Sequence, residues 1–261
     1  MQLGIEGRGA LVVGAGSGLG KAIATALAAE GVEVACAGRD LGALERTVEE
    51  IEADGGRAVA VRLDLADRAG LAVAFEAAAS AVGGVEILVN NSGGPPPGTA
   101  ADLDPDELAR QFEAMVLGPI ALTELALPAM RGRGWGRIVT NASSGVITPI
   151  ANLATSNTLR LSLLGWSKTL AAEVAKDGIT ANVLVPGRIA TGRVEALDRA
   201  RAEREGRPVD DVAAASAASI PVGRYGNPSE YAAAAVFLAS VPASYITGTT
   251  LRVDGGLVPS V

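Results

Sequence analysis

The chain has 261 residues, of which 49% are hydrophobic and 3% aromatic, and this suits one α/β domain with a full core. Its net charge of -7 and the absence of a Lys/Arg block argue against nucleic acids and anionic membranes as partners. The chain has no histidine, which excludes His-based catalytic triads and His-ligated metals, and no acid-rich cluster replaces them. We therefore predict no metal site.

Short Val/Ile/Leu runs alternate with longer Ala-rich stretches along the chain. We predict strands at 10–13, 33–37, 58–63, 87–90, 137–140, 180–184 and 250–253. We predict helices at 18–30, 41–54, 68–82, 106–130, 156–176 and 229–240. Continuous apolar strands between helices indicate a parallel sheet covered on both faces. Right-handed crossovers then give a single doubly wound Rossmann-type domain over 1–261, with about seven strands.

A glycine-rich loop follows the first predicted strand and opens the first predicted helix. Its spacing is G-x-x-x-G-x-G, and the glycines allow a tight turn and a close approach of backbone N–H groups to phosphate oxygens. The positive end of the following helix points to the same place. We predict a dinucleotide-binding loop formed by Gly14, Gly16, Ser17, Gly18, Leu19 and Gly20.

Arg39 follows the second predicted strand, and Asp40 comes next as the predicted N-cap of a helix. An arginine at this strand end pairs with a 2′-phosphate, whereas an acidic residue binds the ribose diol of NAD. We therefore favour NADP(H) over NAD(H). The alternative is that Arg39 is an ordinary exposed arginine.

The segment 187–219 is predicted to be a long irregular or weakly helical insertion after a strand. Because ligands bind at the carboxyl ends of such strands, a substrate lid is the natural interpretation. The alternative is a mobile surface excursion. A second shaped loop, Gly93-Gly94-Pro95-Pro96-Pro97-Gly98, follows the fourth strand.

Cys36, the single cysteine, lies in an apolar strand, where an inert core thiol is expected. It has no partner for an intramolecular disulfide, which fits a reducing compartment. The first six residues lack the features of a signal peptide, and no apolar run reaches the ~18 residues typical of a membrane span. We predict a cytoplasmic protein.

Several further motifs accompany the glycine loop. Asp64-Leu65 follows the third strand, Asn90-Asn91-Ser92-Gly93 ends the fourth, and Pro186-Gly187 precedes Thr191 in a P-G-x-x-x-T pattern. With the carboxyl-terminal segments 221–224, 245–248 and 253–256, they resemble the short-chain dehydrogenase/reductase family over essentially the whole chain, in its 3-oxoacyl-carrier-protein-reductase-like branch. The resemblance adds these cofactor-binding residues to the glycine loop and Arg39: Asp64, Leu65, Asn91, Ser92, Gly93, Pro186, Gly187, Ile189 and Thr191.

The catalytic set of that family is Asn, Ser, Tyr and Lys, and this chain departs from it at three positions. Ser143 stands at the serine position, but the tyrosine position holds Ser156 and the lysine position holds Arg160. The asparagine position holds Met115. The resemblance therefore implies a divergent subgroup.

These substitutions change the available proton chemistry. A serine hydroxyl is a far weaker acid than a tyrosine with a pKa near ~10. Arginine, with an ordinary pKa above ~12, stays charged and orients groups without shuttling protons. We predict that Ser143, Ser156, Asn157 and Arg160 form a polar, cationic pocket. Such a pocket binds a carboxylate or stabilises an oxyanion. The predicted catalytic residues are Ser143, Ser156, Asn157 and Arg160.

Two classes of function follow. The first is a nicotinamide-dependent oxidoreductase with an altered proton path, acting on a small carbonyl or imine-like substrate. The second is a non-redox enzyme or pseudo-enzyme that binds the nucleotide on the same scaffold. Of the three tyrosines, Tyr225 is a remote candidate acid, while Tyr231 and Tyr245 are expected to pack structurally.

The predicted helices 106–130 and 156–176 carry apolar residues on more than one face. A helix that is apolar around its circumference needs a second packing partner. The resemblance implies pairing of these helices across two-fold axes, so we predict a homotetramer or a dimer.

Overall fold

The computed structural model describes residues 2–260, which form a seven-stranded sheet with α-helices on both faces. The strands are β1 (Gly9–Val13), β2 (Glu33–Gly38), β3 (Arg57–Arg62), β4 (Ile87–Asn90), β5 (Gly136–Asn141), β6 (Ile179–Pro186) and β7 (Thr250–Val253). All neighbours pair in parallel, in the order β3-β2-β1-β4-β5-β6-β7. The predicted fold is confirmed. The strand order reverses between β1 and β4, and their carboxyl ends frame the crevice in which such sheets bind ligands.

Nine α-helices connect and cover these strands within the described residues. They are α1 (Gly18–Ala29), α2 (Leu41–Ala53), α3 (Arg68–Ala81), α4 (Pro105–Phe112), α5 (Gly118–Arg133), α6 (Ala154–Val174), α7 (Gly192–Glu205), α8 (Val209–Ala218) and α9 (Pro228–Leu238). Asp40 caps α2 as predicted, because its carboxylate accepts a hydrogen bond from the Ala43 N–H at 3.0 Å.

The sheet has a separate apolar core on each face. Ala10 and Val12 of β1 point into a core with α1, α2 and α9, while Leu11 and Val13 point into a core with α3, α5 and α6. This alternation follows from the two-residue period of a strand. Both faces of β1 are therefore buried, and the glycine loop that follows β1 begins at a well-packed strand.

The predicted helix 106–130 is found as one helical run, Pro105–Arg133, which contains a π-helical turn. It consists of α4, a π-helical turn at Glu113–Leu117 and α5. Pro119 near the start of α5 lacks a backbone N–H and so cannot continue a regular hydrogen-bond ladder through this turn. This run of 29 residues contains an 18-residue window with a mean hydropathy of 1.4, so it is long and apolar enough to cross a membrane by length and composition alone. Here Leu122, Ala126 and Met130 of α5 pack in the core against the sheet, as in a core helix.

The segment 187–219, predicted to be irregular or weakly helical, contains two regular helices, α7 and α8. Its sequence gives little amphipathic periodicity because α7 is mostly polar and α8 is mostly small residues. Local charge pairs such as Arg201–Glu205, at 2.7 Å and four residues apart, support α7 instead.

Candidate active site

The glycine loop has the shape that a pyrophosphate requires. Gly14 has φ of 69°, and a Cβ there would lie 2.6 Å from Nδ2 of Asn91. A Cβ on Gly20 would collide with the carbonyl oxygen of Gly14. The Ser17 side chain does not cap α1, so it leaves the first N–H groups of that helix open to a ligand. The loop therefore suits a dinucleotide phosphate, and a side chain at Gly14 or Gly20 would not fit in it.

Residues from three other strand ends surround this loop. The Asn91 amide after β4 donates to the Val13 carbonyl at 3.1 Å, and the Gly14 N–H donates to the Ala37 carbonyl of β2 at 2.7 Å. Thr191, downstream of β6, lies 3.7 Å from the position that a Cβ on Gly18 would occupy. The structure therefore brings the glycine loop, the β4 motif and the P-G-x-x-x-T segment together, as the sequence implied.

The remaining predicted cofactor residues differ in their surroundings. Arg39 is exposed at the end of β2 and forms no ion pair with any residue in 2–260. Asp64 accepts from the Ala66 N–H at 3.0 Å, and Leu65 is buried against Gly118. Ile189 is buried in the core. Ile189 therefore offers only its backbone to a cofactor.

Two serines of the predicted catalytic group keep polar hydrogens for a ligand. The Ser143 hydroxyl oxygen accepts from the Gly145 N–H at 3.2 Å, so its own proton is free to be donated. Ser156 lies in the first turn of α6, is 6% exposed, and forms no side-chain hydrogen bond with the described residues. Ser143 is the serine that the family pattern has at this position, whereas Ser156 is a short hydroxyl where the family has the more acidic tyrosine.

Asn157 does not extend the pocket as predicted. Its Nδ2 donates to the Ile150 carbonyl at 2.9 Å, and its Oδ1 accepts from the Ile150 N–H at 3.3 Å. Both ends of the amide are therefore used to hold the loop before α6. A Cβ on Gly145 would collide with Oδ1 of Asn157 and lie 3.4 Å from Oγ of Ser143, so this clamp sits directly behind Ser143.

Arg160 also differs from the prediction of a cation that faces the pocket. Its guanidinium, in a residue only 6% exposed, donates to the carbonyls of Asn141 at 3.0 Å, Ser92 at 3.0 Å and Gly93 at 3.2 Å. Burial is the main cause that lowers the pKa of Arg160 to about 10, below the value above ~12 assumed from sequence. It remains charged near neutrality, but it holds the ends of β4 and β5 together.

Met115, at the family's asparagine position, is buried within the π-helical turn. Nearby strand ends carry polar side-chain atoms that are buried without a hydrogen-bond partner among the described residues, namely Asn90 Oδ1, Thr140 Oγ1 and Asn141 Nδ2. Such atoms are rare in folded proteins and cluster at functional positions. Here all three atoms belong to residues at the carboxyl ends of β4 and β5, the two strand ends that Arg160 holds together.

The tyrosines do not supply a replacement acid. The Tyr231 hydroxyl is buried within hydrogen-bond distance of Asn141 Oδ1 and the Leu184 carbonyl, and burial raises its pKa well above normal. Its predicted structural role is confirmed. Tyr245 was also predicted to pack structurally, and this prediction is wrong because its side chain is fully exposed. Tyr225 donates to Asp198 at 2.6 Å, and burial with this bond raises its pKa. Its proton is therefore committed to the carboxylate.

Cys36 is fully buried in β2, and burial raises the pKa of its thiol to about 12. A thiol with that pKa stays protonated near neutrality and is a poor nucleophile. The expectation of an inert core thiol is confirmed. Among residues 2–260, no group of three or more Cys, Asp or Glu side chains is placed to hold a metal ion.

Sequence reasoning missed two contacts that shape the site. Arg193 in the first turn of α7 donates to the Pro95 carbonyl at 2.8 Å, across 98 positions of sequence. Asn152 has φ of 62°, and its carbonyl accepts from the Gly98 N–H at 2.9 Å. A positive φ at a non-glycine residue is uncommon and is tolerated best by Asn and Asp. The residue type of Asn152 could therefore have indicated this turn from the sequence. No neighbouring residue indicates the contact of Arg193, because its partner is 98 positions away.

The family model described as enoyl-(acyl carrier protein) reductase matches residues 14–258. The chain belongs to the short-chain dehydrogenase/reductase family, in its 3-oxoacyl-carrier-protein-reductase-like branch. It is 35% identical over 257 residues to the 3-oxoacyl-[acyl-carrier-protein] reductase FabG of Salmonella typhimurium, covering 98% of this chain and 99% of the relative.

Solved structures agree with this assignment. L-Sorbose reductase from Gluconobacter frateurii, complexed with NADPH and L-sorbose, is 32% identical with a TM-score of 0.94 and full coverage of both chains at 100%. A 3-oxoacyl (acyl-carrier-protein) reductase from Agrobacterium tumefaciens C58, with NADP bound, is 31% identical with a TM-score of 0.87. That match covers 97% of this chain and 95% of the other.

Proposed function

We propose that the protein is an NADP(H)-dependent reductase of a small carbonyl or imine-like compound, with an active site that lacks the family's tyrosine acid. The observation that carries this proposal is the open glycine loop beside Thr191 and Asn91, a complete cofactor cradle. NADP(H) is also the cofactor that the solved relatives hold. The exposed Arg39 at the end of β2 suits its 2′-phosphate.

The bound cofactor supplies the hydride, and the protein supplies position and a proton path. Ser143 holds its hydroxyl oxygen on the Gly145 N–H and presents its proton to the substrate oxygen or nitrogen. Ser156 adds a second hydroxyl from α6, which orients a water toward the same atom. Because neither hydroxyl is acidic, the substrate is an activated carbonyl or an iminium, which needs little help from an acid.

Asn157 and Arg160 act in this proposal as positioning residues. Asn157 fixes the loop behind Ser143, and Arg160 fixes the carbonyls at the ends of β4 and β5. A rigid support of this kind keeps reacting groups within the narrow geometry that catalysis needs.

Absorbance at 340 nm of NADPH mixed with the protein and a panel of ketones, aldehydes and cyclic imines tests the proposal. We expect turnover with activated members of the panel and a loss of about 100-fold in kcat for Ser143→Ala, the lower end for a positioned proton donor. Ser162→Ala is the matched control, because that exposed α6 hydroxyl donates to the Leu159 carbonyl and not to the site. Turnover that survives Ser143→Ala would contradict the assigned donor.

A second candidate is a nucleotide-binding protein without hydride chemistry. The observation in its favour is that the Arg160 guanidinium donates to three backbone carbonyls. Arg160 therefore does not present its charge to the pocket as the family's lysine would. NADPH binding without turnover on any member of the panel would select this candidate. Ketone reduction that appears only in Ser156→Tyr/Arg160→Lys would mean that the native protein is not an ordinary ketoreductase.

We also propose a cytoplasmic homotetramer or dimer. Phe112 on α4 and Leu161 on α6 are exposed large apolar residues on the helices expected to pair. The single buried thiol fits a reducing compartment. Light scattering at micromolar concentration should give two or four times the chain mass, and a monomer would contradict this part of the proposal.

A further inference from the structure

The loop after β4 lies between two arginines from distant parts of the chain. On one side, Arg160 of α6 donates to the carbonyls of Ser92 and Gly93. On the other side, Arg193 of α7 donates to the carbonyl of Pro95. The fit is close, since a Cβ on Gly94 would lie 2.8 Å from Cζ of Arg193. Two guanidinium groups therefore flank one short loop at the carboxyl edge of the sheet.

The first turn of α7 crosses the ligand crevice. Thr191, its N-cap, lies beside Gly18 in the glycine loop, and Arg193 reaches the loop after β4 two residues later. These two loops follow β1 and β4, the strands between which the sheet order reverses. Arg193 therefore stands where a substrate would enter beside the cofactor.

The charge of these arginines is not compensated within residues 2–260. Neither Arg160 nor Arg193 forms an ion pair there, although ten ion pairs occur elsewhere and the chain has 29 acidic residues. Burial lowers the pKa of both groups, and the charge of Arg193 lowers that of Arg160 further. In a chain of net charge -7, two arginines without a carboxylate form a local positive region.

The two arginines differ in their access to a ligand. Arg160 is buried, and its guanidinium faces three carbonyls. Arg193 is partly exposed and uses one N–H on Pro95, which leaves four of the five donors of a guanidinium for a ligand. A planar guanidinium with free donors binds a carboxylate through two parallel hydrogen bonds.

We propose that Arg193 binds the carboxylate of an oxo-acid substrate at the mouth of the crevice, with the charge of Arg160 behind the same loop adding to the attraction. This inference rests on the proposed reductase function and names its substrate class. The carboxylate provides the counter-charge that the loop lacks, while the carbonyl of the same molecule extends toward Ser143. No covalent step involves Arg193, so its role is substrate specificity.

The test compares 2-oxo and 4-oxo acids with their methyl esters as substrates of the NADPH-loaded protein. We expect kcat/KM to favour the acid over its ester by about 10- to 100-fold, the range for a charge-assisted hydrogen-bonded pair. In Arg193→Gln this preference should fall to about one, through KM, whereas Arg193→Lys should keep part of it. Arg199→Gln on the exposed part of α7 is the matched control and should leave the preference unchanged.

Arg193 could bind a phosphate of the cofactor in place of a substrate carboxylate. Titration with NADPH, followed by fluorescence, distinguishes these two ligands. The proposal expects the NADPH dissociation constant of Arg193→Gln to stay within about twofold of the wild-type value. A tenfold weaker NADPH affinity with an unchanged acid preference would overturn it, and so would esters that react as well as acids. If no compound is turned over, calorimetry measures whether the same acids bind to the NADPH complex and whether that binding needs Arg193. Binding lost in Arg193→Gln supports the inference, and no binding overturns it.

Discussion

Arg160 donates a hydrogen bond to the carbonyl oxygen of Ser92 at 3.0 Å, and this contact ties helix α6 to the end of strand β4. The same guanidinium holds the Asn141 carbonyl at the end of β5. One side chain therefore fixes two neighbouring strand ends from a third element. At the family's lysine position, the chain has a structural cross-link made of backbone hydrogen bonds.

Arg160→Met should lower the free energy of unfolding by about 3 kcal/mol, because two buried carbonyls and a partly buried one lose their charged donor. Urea denaturation followed by circular dichroism measures the change. Arg131→Met is the matched control, since the exposed Arg131–Asp177 pair at 2.9 Å should be worth less than about 1 kcal/mol. Equal stability of Arg160→Met and wild type would contradict the cross-link.

The pH profile of kcat/KM should be flat between about pH 6 and 9, because the hydroxyls of Ser143 and Ser156 do not titrate there. Burial lowers the pKa of Arg160 to about 10, so its charge is present below that pH and is lost as the pH rises through it. Activity should therefore decline only above about pH 10. Stopped-flow measurements with a non-titrating ketone give this profile, and a bell centred near neutrality would reveal an acid that we have not identified.

Gly20→Ala should abolish NADPH binding, because the added Cβ collides with the Gly14 carbonyl and displaces the loop that grips the phosphates. We expect at least a 100-fold increase in the dissociation constant, measured by the quenching of NADPH fluorescence. Gly132→Ala in α5 is the control, since nothing lies within 4 Å of its Cβ position. That variant should bind normally and gain about 0.5–1 kcal/mol of stability. Tight binding by Gly20→Ala would rule out the proposed phosphate site.

Arg39→Gln should reduce the affinity for NADPH by about tenfold and leave the affinity for NADH unchanged, because only NADPH carries the 2′-phosphate. Binding titrations with both nucleotides measure the selectivity. Arg46→Gln, an exposed arginine on α2, provides the control for a general loss of positive charge. Equal effects on the two nucleotides would mean that Arg39 is an ordinary surface residue.

The sequence predicted those parts of the molecule that depend on local patterns. Apolar runs located all seven strands, and the glycine spacing located a loop whose shape follows from residues such as Gly14 and Gly20. These features depend on backbone conformation and on periodicity, which neighbouring residues largely determine.

The parts that sequence could not provide depend on contacts between distant segments. The partner of Arg193 is a carbonyl 98 residues away, and the pKa of Arg160 depends on burial that only the folded chain creates. Asn157 illustrates a different limit, because an amide suits a ligand pocket and a loop clamp equally well. Only the position of Ile150 distinguishes these roles.

Tyr225→Phe should loosen helix α7 without removing a catalytic acid. The Tyr225 hydroxyl donates to Asp198 at 2.6 Å, and the buried Asp198 also pairs with Arg188 at 2.5 Å, so this cluster anchors α7 to the loops around it. Loss of one hydrogen bond to a buried carboxylate costs about 1.5–3 kcal/mol, which corresponds to at least tenfold faster amide exchange in α7. Hydrogen exchange by mass spectrometry measures that rate, and kcat should change by less than about threefold because Tyr225 donates to Asp198 rather than to substrate. Tyr245→Phe, at a fully exposed tyrosine, should change neither. A loss of kcat in Tyr225→Phe with unchanged exchange in α7 would instead identify Tyr225 as the missing acid.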